Sequence, residues 1–202
     1  MTFDLWQLEK ERLGPFLIER TPWAVLDELA DVIAAIGREL DDAYEQIALQ
    51  VWVHRTAQVA SSAVLTPPCI LDEGAQVRPF AYLRGATYVG RHAVVGHAVE
   101  LKNTVLMEGA QAAHFNYVGD SVLGAYAHLG AGAIVSNLRQ DKSLVLVQIE
   151  GIRYPTNRRK MGALVGDFAE VGCNAVLNPG TVLARGAVVR PMASIKGYIA
   201  AK

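Results

Sequence analysis

The chain has 202 residues, a net charge of −1 and 19% charged residues, enough to bury a core as one domain with or without a small appendage. The near-neutral balance gives no basis for a nucleic-acid or anionic-membrane partner, and no apolar stretch approaches the roughly 20 residues that span a bilayer. Two distant cysteines, Cys69 and Cys173, and no secretory apolar segment point to free thiols in a reducing cytoplasm.

Residues 1–50 read as a helical extension. Val25, Leu26, Leu29, Val32, Ile33, Ile36 and Leu40 recur at three and four, one apolar stripe of a helix expected over about residues 22–43. Thr21 is placed to cap it and Pro22 to occupy its first turn, where a missing N–H costs nothing. A shorter helical piece is expected within residues 1–20, broken near Gly14-Pro15. Trp6, Trp23 and Trp52 are not clustered among basic residues, so they are expected to pack this front rather than stack on bases.

From Val59 the period is six. Val59, Leu65, Leu71, Val77, Leu83, Val89, Val95 and Leu101 are all aliphatic, and the place two before each tends to be small, as at Ala63, Cys69, Ala75 and Ala81. After two shortened steps, Leu101 to Leu106 and Val118 to Leu123, the rhythm resumes and returns a third time from Val165 to Ile195. Such hexads build a parallel β-helix over residues 51–202, mainly β, with about 18 residues per triangular coil, the aliphatic residue inward and Cys69 an inert core thiol. Residues 138–161 interrupt it with a polar opening, a strand-like stretch from Leu144 to Ile149 and a basic return at Arg158, Arg159 and Lys160. This reads as a loop or hairpin thrown out from one corner, of a length associated with function.

Coil stacking turns spacing into contact. Arg84 and Lys102 each follow an inward aliphatic and lie 18 apart, so they sit one strand spacing, roughly 4.8 Å, from each other. Two stacked cations repel unless an anion lies between them, and a guanidinium beside an ammonium suits a phosphate. His114 lies two after an inward Ala112, near the outer face, where an imidazole can exchange a proton near neutrality. Tyr117 and Glu100 stand close to it.

The segment "VGHAVELKNTVLMEGAQAAHFNYVGDSVLGAYAHLGAGAIVSN" (95–137) carries Glu-x-Lys, then His-x-x-Tyr-x-Gly-Asp, then Leu-Gly-Ala-Gly. In these motifs and in both shortened hexads the chain resembles the acetyltransferase domain of the bifunctional glucosamine-1-phosphate N-acetyltransferase/N-acetylglucosamine-1-phosphate uridylyltransferase, over roughly residues 77–195. The resemblance implies a left-handed coil and N-acyl transfer from acetyl-CoA to an amino-sugar 1-phosphate such as glucosamine 1-phosphate, toward UDP-N-acetylglucosamine biosynthesis, with no metal. It also implies a homotrimer whose sites draw on more than one chain. By that resemblance His114 is the general base, Arg84 and Lys102 bind phosphate, and Tyr117 binds the sugar. Ala131 and Asn137 lie near the cofactor, and Lys160 is a second phosphate lysine, with Lys142 as its competitor. Three positions depart from the family: His128 for an asparagine at the sugar amine, Cys173 for a serine near the cofactor, and Leu138 for a tyrosine. The loop is also longer. Nothing at the N-terminus resembles the Gly-rich nucleotide loop, so uridylyl transfer is not expected.

Two rival readings stand beside this one. A zinc enzyme resembling γ-class carbonic anhydrase would use His92 and His97 with His54, but 38 residues separate His54 from His92 where two full coils need 36. A non-catalytic binding or scaffold module on the same coil is favoured by His128 and Leu138.

Overall fold

The computed structural model describes residues 4–18 and 21–201. It is mainly β, 9% helical, and its body is a β-solenoid of about eight turns. Parallel pairing begins at Val51–His54, which lies against Cys69–Leu71 with Val51 opposite Cys69. In each coil the chain runs along a first face, turns a corner to a second, and turns again to a third. The first face is a seven-stranded parallel sheet that includes Val94–His97, Gln111–His114 and His128–Leu129. The second and third faces share strands that bend across the corner between them, as in Tyr82–Val89, Glu100–Leu106 and Tyr117–Leu123. There the two shortened hexads cut the register from 18 residues (Arg84 opposite Lys102) to 17 (Thr87 opposite Thr104).

Inward residues of the hexads, from Leu71 through Val95, Leu129 and Leu183, form one continuous core. The corners take left-handed backbone. Gly74, His92, Gly109 and Tyr126 do so between the third and first faces, Phe80, Ala98, Phe115 and Gly132 between the first and second, and Gly85, Asn103 and Asp120 between the second and third.

The third face is apolar on its outside as well. Trp52, Ile70, Tyr88, Val105, Val122, Leu164 and Val182 point outward in one ladder and are buried with the helical front and the 138–161 insertion in a second core. Large apolar side chains of this kind each stabilise by about 1.5–3 kcal/mol when removed from water, so this cover is a major part of the fold. The insertion is a hairpin of Leu146–Ile149 and Ile152–Pro155. It is not thrown clear of the corner: Val145 and Val147 are buried and pack back onto the third face.

In the front, α1 (Gly14–Leu17) begins at the Gly-Pro pair where a break was expected, because proline is tolerated in a first helical turn. α2 (Val25–Arg38) buries the expected stripe through Ile36. It starts after a turn in which Ala24 N–H donates to Thr21 O, with no side-chain cap. It also stops short of residue 43, since Asp41 accepts from the Ala43 N–H and Tyr44–Ala48 becomes a strand antiparallel to Val51–His54. Gly37 lies against the Trp52 ring, where a Cβ would meet ring carbons at 2.4 Å. The three tryptophans are buried in the second core, and Trp6 Nε1 donates to Val165 O at 2.8 Å. The expected pieces at residues 1–3, 19 and 20 lie outside the described residues.

Candidate functional site

Two corners and the face between them carry the chemistry. At the corner between first and second faces, successive coils stack His97, His114, Ala131 and Cys173. His114 pairs with His97, Gly132 N–H donates to His114 O, and Asn174 N–H donates to Ala131 O. His114 is exposed at its strand's end. Its turn is fastened by a residue that sequence reasoning missed. The buried Asn116 accepts the His114 N–H at 3.1 Å and donates to Gly130 O at 2.8 Å and Ala133 O at 3.0 Å. An asparagine inside an otherwise apolar hexad was the available signal, because a buried amide must find partners.

On the second face, Tyr117 lies opposite Glu100, and Arg84, Lys102 and Gly119 follow one another in register. Each cation already holds a carboxylate. Arg84 Nε donates to Glu100 at 2.6 Å, and Lys102 Nζ donates to both oxygens of Asp120 at 2.8 and 2.9 Å. The repulsion expected between them is therefore relieved from within the chain. Tyr117 is held above the usual phenol pKa, first by burial and then by the Glu100 charge, against the pull of Arg84. Gly119 leaves room for this arrangement: a Cβ there would meet Asn137 Nδ2 at 2.5 Å and the Tyr117 hydroxyl at 2.7 Å.

The second-to-third corner converges on Asp120. Asn137, buried, donates to it, as does Asn103 at 3.1 Å, and Asn103 also donates to Leu26 O of α2 at 3.0 Å. From the insertion, Arg158 reaches within 3.7 Å of Asp120 and pairs with Asp27 of α2. Lys160 is exposed and bridges Leu138 through its backbone, and Lys142 is exposed in the turn before the hairpin. Of the insertion's basic side chains, the one that joins Lys102 at the Asp120 cluster is thus Arg158.

The structure brings His114, Ala131 and Cys173 into one column and sets Arg84, Lys102, Tyr117 and Asn137 on and beside the adjoining face. It places His128 elsewhere, on the first face, with Nδ1 3.0 Å from Glu170. Cys173 is exposed, whereas burial pushes the Cys69 thiol up to about 12. Among the described residues no three His, Cys, Asp or Glu side chains gather as a metal site. His54 contacts Tyr44 and Thr56, while His97 stands edge-on between Phe80 and Phe115.

Comparison with known proteins adds four findings. The GMPPB C-terminal domain family matches residues 65–149. The bifunctional sugar-1-phosphate nucleotidylyltransferase/acetyltransferase of Sulfurisphaera tokodaii is 30% identical over 178 residues, 86% of this chain and 44% of that protein. The bifunctional protein GlmU of Leifsonia xyli subsp. xyli is 36% identical over 133 residues, 65% of this chain and 27% of that one. Among solved structures, a hexapeptide transferase family protein from Anaplasma phagocytophilum aligns over 70% of this chain and 74% of that one, with 20% identity and a TM-score of 0.41. The chain spans less than half the length of these curated relatives. Over these stretches the chain is homologous to the bifunctional sugar-1-phosphate nucleotidylyltransferase/acetyltransferases.

Proposed function

We propose that this protein is an acyltransferase that moves the acetyl group of acetyl-CoA to the amine of an amino-sugar 1-phosphate such as glucosamine 1-phosphate. The observation that carries the reading is the register of Arg84 on Lys102 at one edge of the second face, with exposed His114 at its other edge. Arg84 commits its Nε to Glu100, leaving its terminal nitrogens for the acceptor's phosphate, and Lys102 adds a second positive centre. Tyr117, between the two edges, orients the sugar. His114 takes the proton as the amine nitrogen bonds to the thioester carbon. The carbon–sulfur bond breaks, and the thiolate leaves and receives the proton. The Ala131 N–H, in the next coil of the same column, faces the developing oxyanion, since the Gly130 and Gly132 N–H groups on either side donate to Val171 O and His114 O. Holding both substrates along one face supplies much of the acceleration.

The same proposal includes assembly as a homotrimer, in which His128 on the first face joins the site from a neighbouring copy. Thiol release from acetyl-CoA with glucosamine 1-phosphate tests the activity. His114→Ala is expected to lose about 10²–10⁴-fold in kcat, and Arg84→Ala chiefly to raise KM. No release with any amino-sugar phosphate would overturn the reading.

A second reading, a binding or scaffold module without turnover, is favoured by the carboxylate that each cation already holds. It predicts folded protein with neither thiol release nor CoA binding.

A further inference from the structure

Under the helical front lies a small polar cavity of about 240 Å³ that the proposed chemistry does not use. One wall is the N-terminal segment, through Glu11 and Arg12. The other is the third face, through Tyr88, and the corner that follows it, through Asp72 and Arg91. Its volume is below the roughly 300–1,000 Å³ of drug-sized sites, which limits it to a small metabolite.

Most of the polar groups here are paired within the chain. Asp72 accepts from the Tyr44 and Tyr88 hydroxyls, the Glu73 N–H and Arg12, and needs nothing more. Glu11 differs. It is only 8% exposed, one of its oxygens accepts the Glu108 N–H at 3.1 Å, and the other has no partner among the described residues. That second oxygen is not sealed in the protein, since among the described residues only Thr87 Oγ1 is both buried and unpaired, so it opens onto the cavity. A carboxylate taken from water without a full set of partners is costly. Burial accordingly holds the Glu11 pKa above the ordinary range, against the pull of Arg91. A positive group seated on the free oxygen relieves that cost.

The mouth carries the opposite charge. Arg12 gives Nε to Asp72 and Nη2 to Tyr44, and Arg91 gives Nη2 to Glu108 and to Lys10 O. Arg12 Nη1 and Arg91 Nε and Nη1 are left without a partner among the described residues, on side chains 40% and 37% exposed. Free guanidinium nitrogens suit a carboxylate. A simple anion would face Glu11, and a bare cation would face two guanidinium groups. A ligand that carries both charges close together satisfies both ends.

We propose that this cavity binds a free α-amino acid, its ammonium on Glu11 and its carboxylate on Arg12 and Arg91. Binding is read without turnover, so this inference stands or falls separately from acyl transfer.

Calorimetric titration of the full chain with each of the standard α-amino acids tests it. At least one is expected to bind with a Kd below about 1 mM. Its N-acetyl derivative, which lacks the ammonium, and its methyl ester, which lacks the carboxylate, are each expected to bind at least about tenfold more weakly. Glu11→Gln keeps the shape of the side chain and is expected to weaken binding at least about tenfold while the variant stays folded in thermal denaturation. Absence of binding by every amino acid, derivatives that bind as well as the parent compound, or a Glu11→Gln variant that binds unchanged overturns the proposal.

Discussion

Lys102 holds its ammonium within hydrogen-bonding distance of both oxygens of Asp120, and that carboxylate is 3% exposed. The same Asp120 gathers Asn103, Asn137 and Arg158, so one buried carboxylate joins the second face, the insertion and, through Asn103 and Arg158, the first turn of α2. The helical front is in this way wired to the proposed anion site.

Removing that carboxylate leaves the partly buried Lys102 uncompensated and Arg158 with Asp27 alone. Asp120→Ala is expected to cost about 3–5 kcal/mol, a fall in Tm of about 10 °C for a chain of this size. Asp120→Asn keeps the acceptor oxygen and is expected to cost less. Thermal denaturation measures both, and an Asp120→Ala variant within about 1 kcal/mol of the parent would refute the network.

Asn116 is a positioning residue: it ties the His114 backbone to the Gly130–Ala133 turn of the next coil. Asn116→Asp keeps the shape and the acceptor for His114 N–H but replaces both amide donors to Gly130 O and Ala133 O with a carboxylate. Gly130 O keeps the Ala133 N–H, but a carboxylate set against two buried carbonyl oxygens in place of a donor costs about 1–3 kcal/mol. On the proposed chemistry kcat is expected to drop at least about tenfold with KM for the sugar phosphate nearly unchanged. Equal loss in both parameters, or none, would sink the positioning role.

Two acids under the helical front are expected to give opposite pH dependences. Burial opposes ionisation of Asp72, but the Tyr44 and Tyr88 hydroxyls, the Glu73 N–H and Arg12 outweigh it and hold its pKa below the usual carboxylate range. A depressed folded pKa means stability that is present above the unfolded value and lost as pH falls through the folded one. Glu11, in contrast, is raised, chiefly by burial and against the hydrogen bond from the Glu108 N–H. Its native state binds the extra proton, so stability falls as pH rises from the ordinary carboxylate range through the raised value. Asp72→Asn is expected to lower Tm at pH 7 and flatten the acid limb. Glu11→Gln is expected to raise Tm at pH 7 by a few degrees, about 1 kcal/mol. Tm measured from pH 4 to 8 checks both, and parallel curves for parent and variants would contradict the assignment.

Much of the body was legible because each hexad repeats the same local problem. An aliphatic residue every six places has one compact solution, so the coil, its core and the pairing of Arg84 with Lys102 followed from spacing. The outer ladder on the third face was legible too, and was missed. Ile70, Tyr88, Val105, Val122, Leu164 and Val182 each precede an inward aliphatic in every third hexad, which marks a face covered on both sides. Helix ends were less legible. The apolar stripe of α2 marks which side packs, whereas its stop after Arg38 depends on the Asp41 turn and on the pairing of Tyr44–Ala48 with Val51–His54.

Sequence alone determined the solenoid, its inward residues and the stacking of Arg84 on Lys102, since coil periodicity makes these nearest-neighbour relations. Only the tertiary structure decided that the insertion folds back onto the third face and that Arg158, among the insertion's basic side chains, is the one that joins Lys102 at Asp120. Those outcomes depend on contacts between segments far apart in the chain, where buried charges and apolar surfaces must find partners and no local spacing records which ones they take.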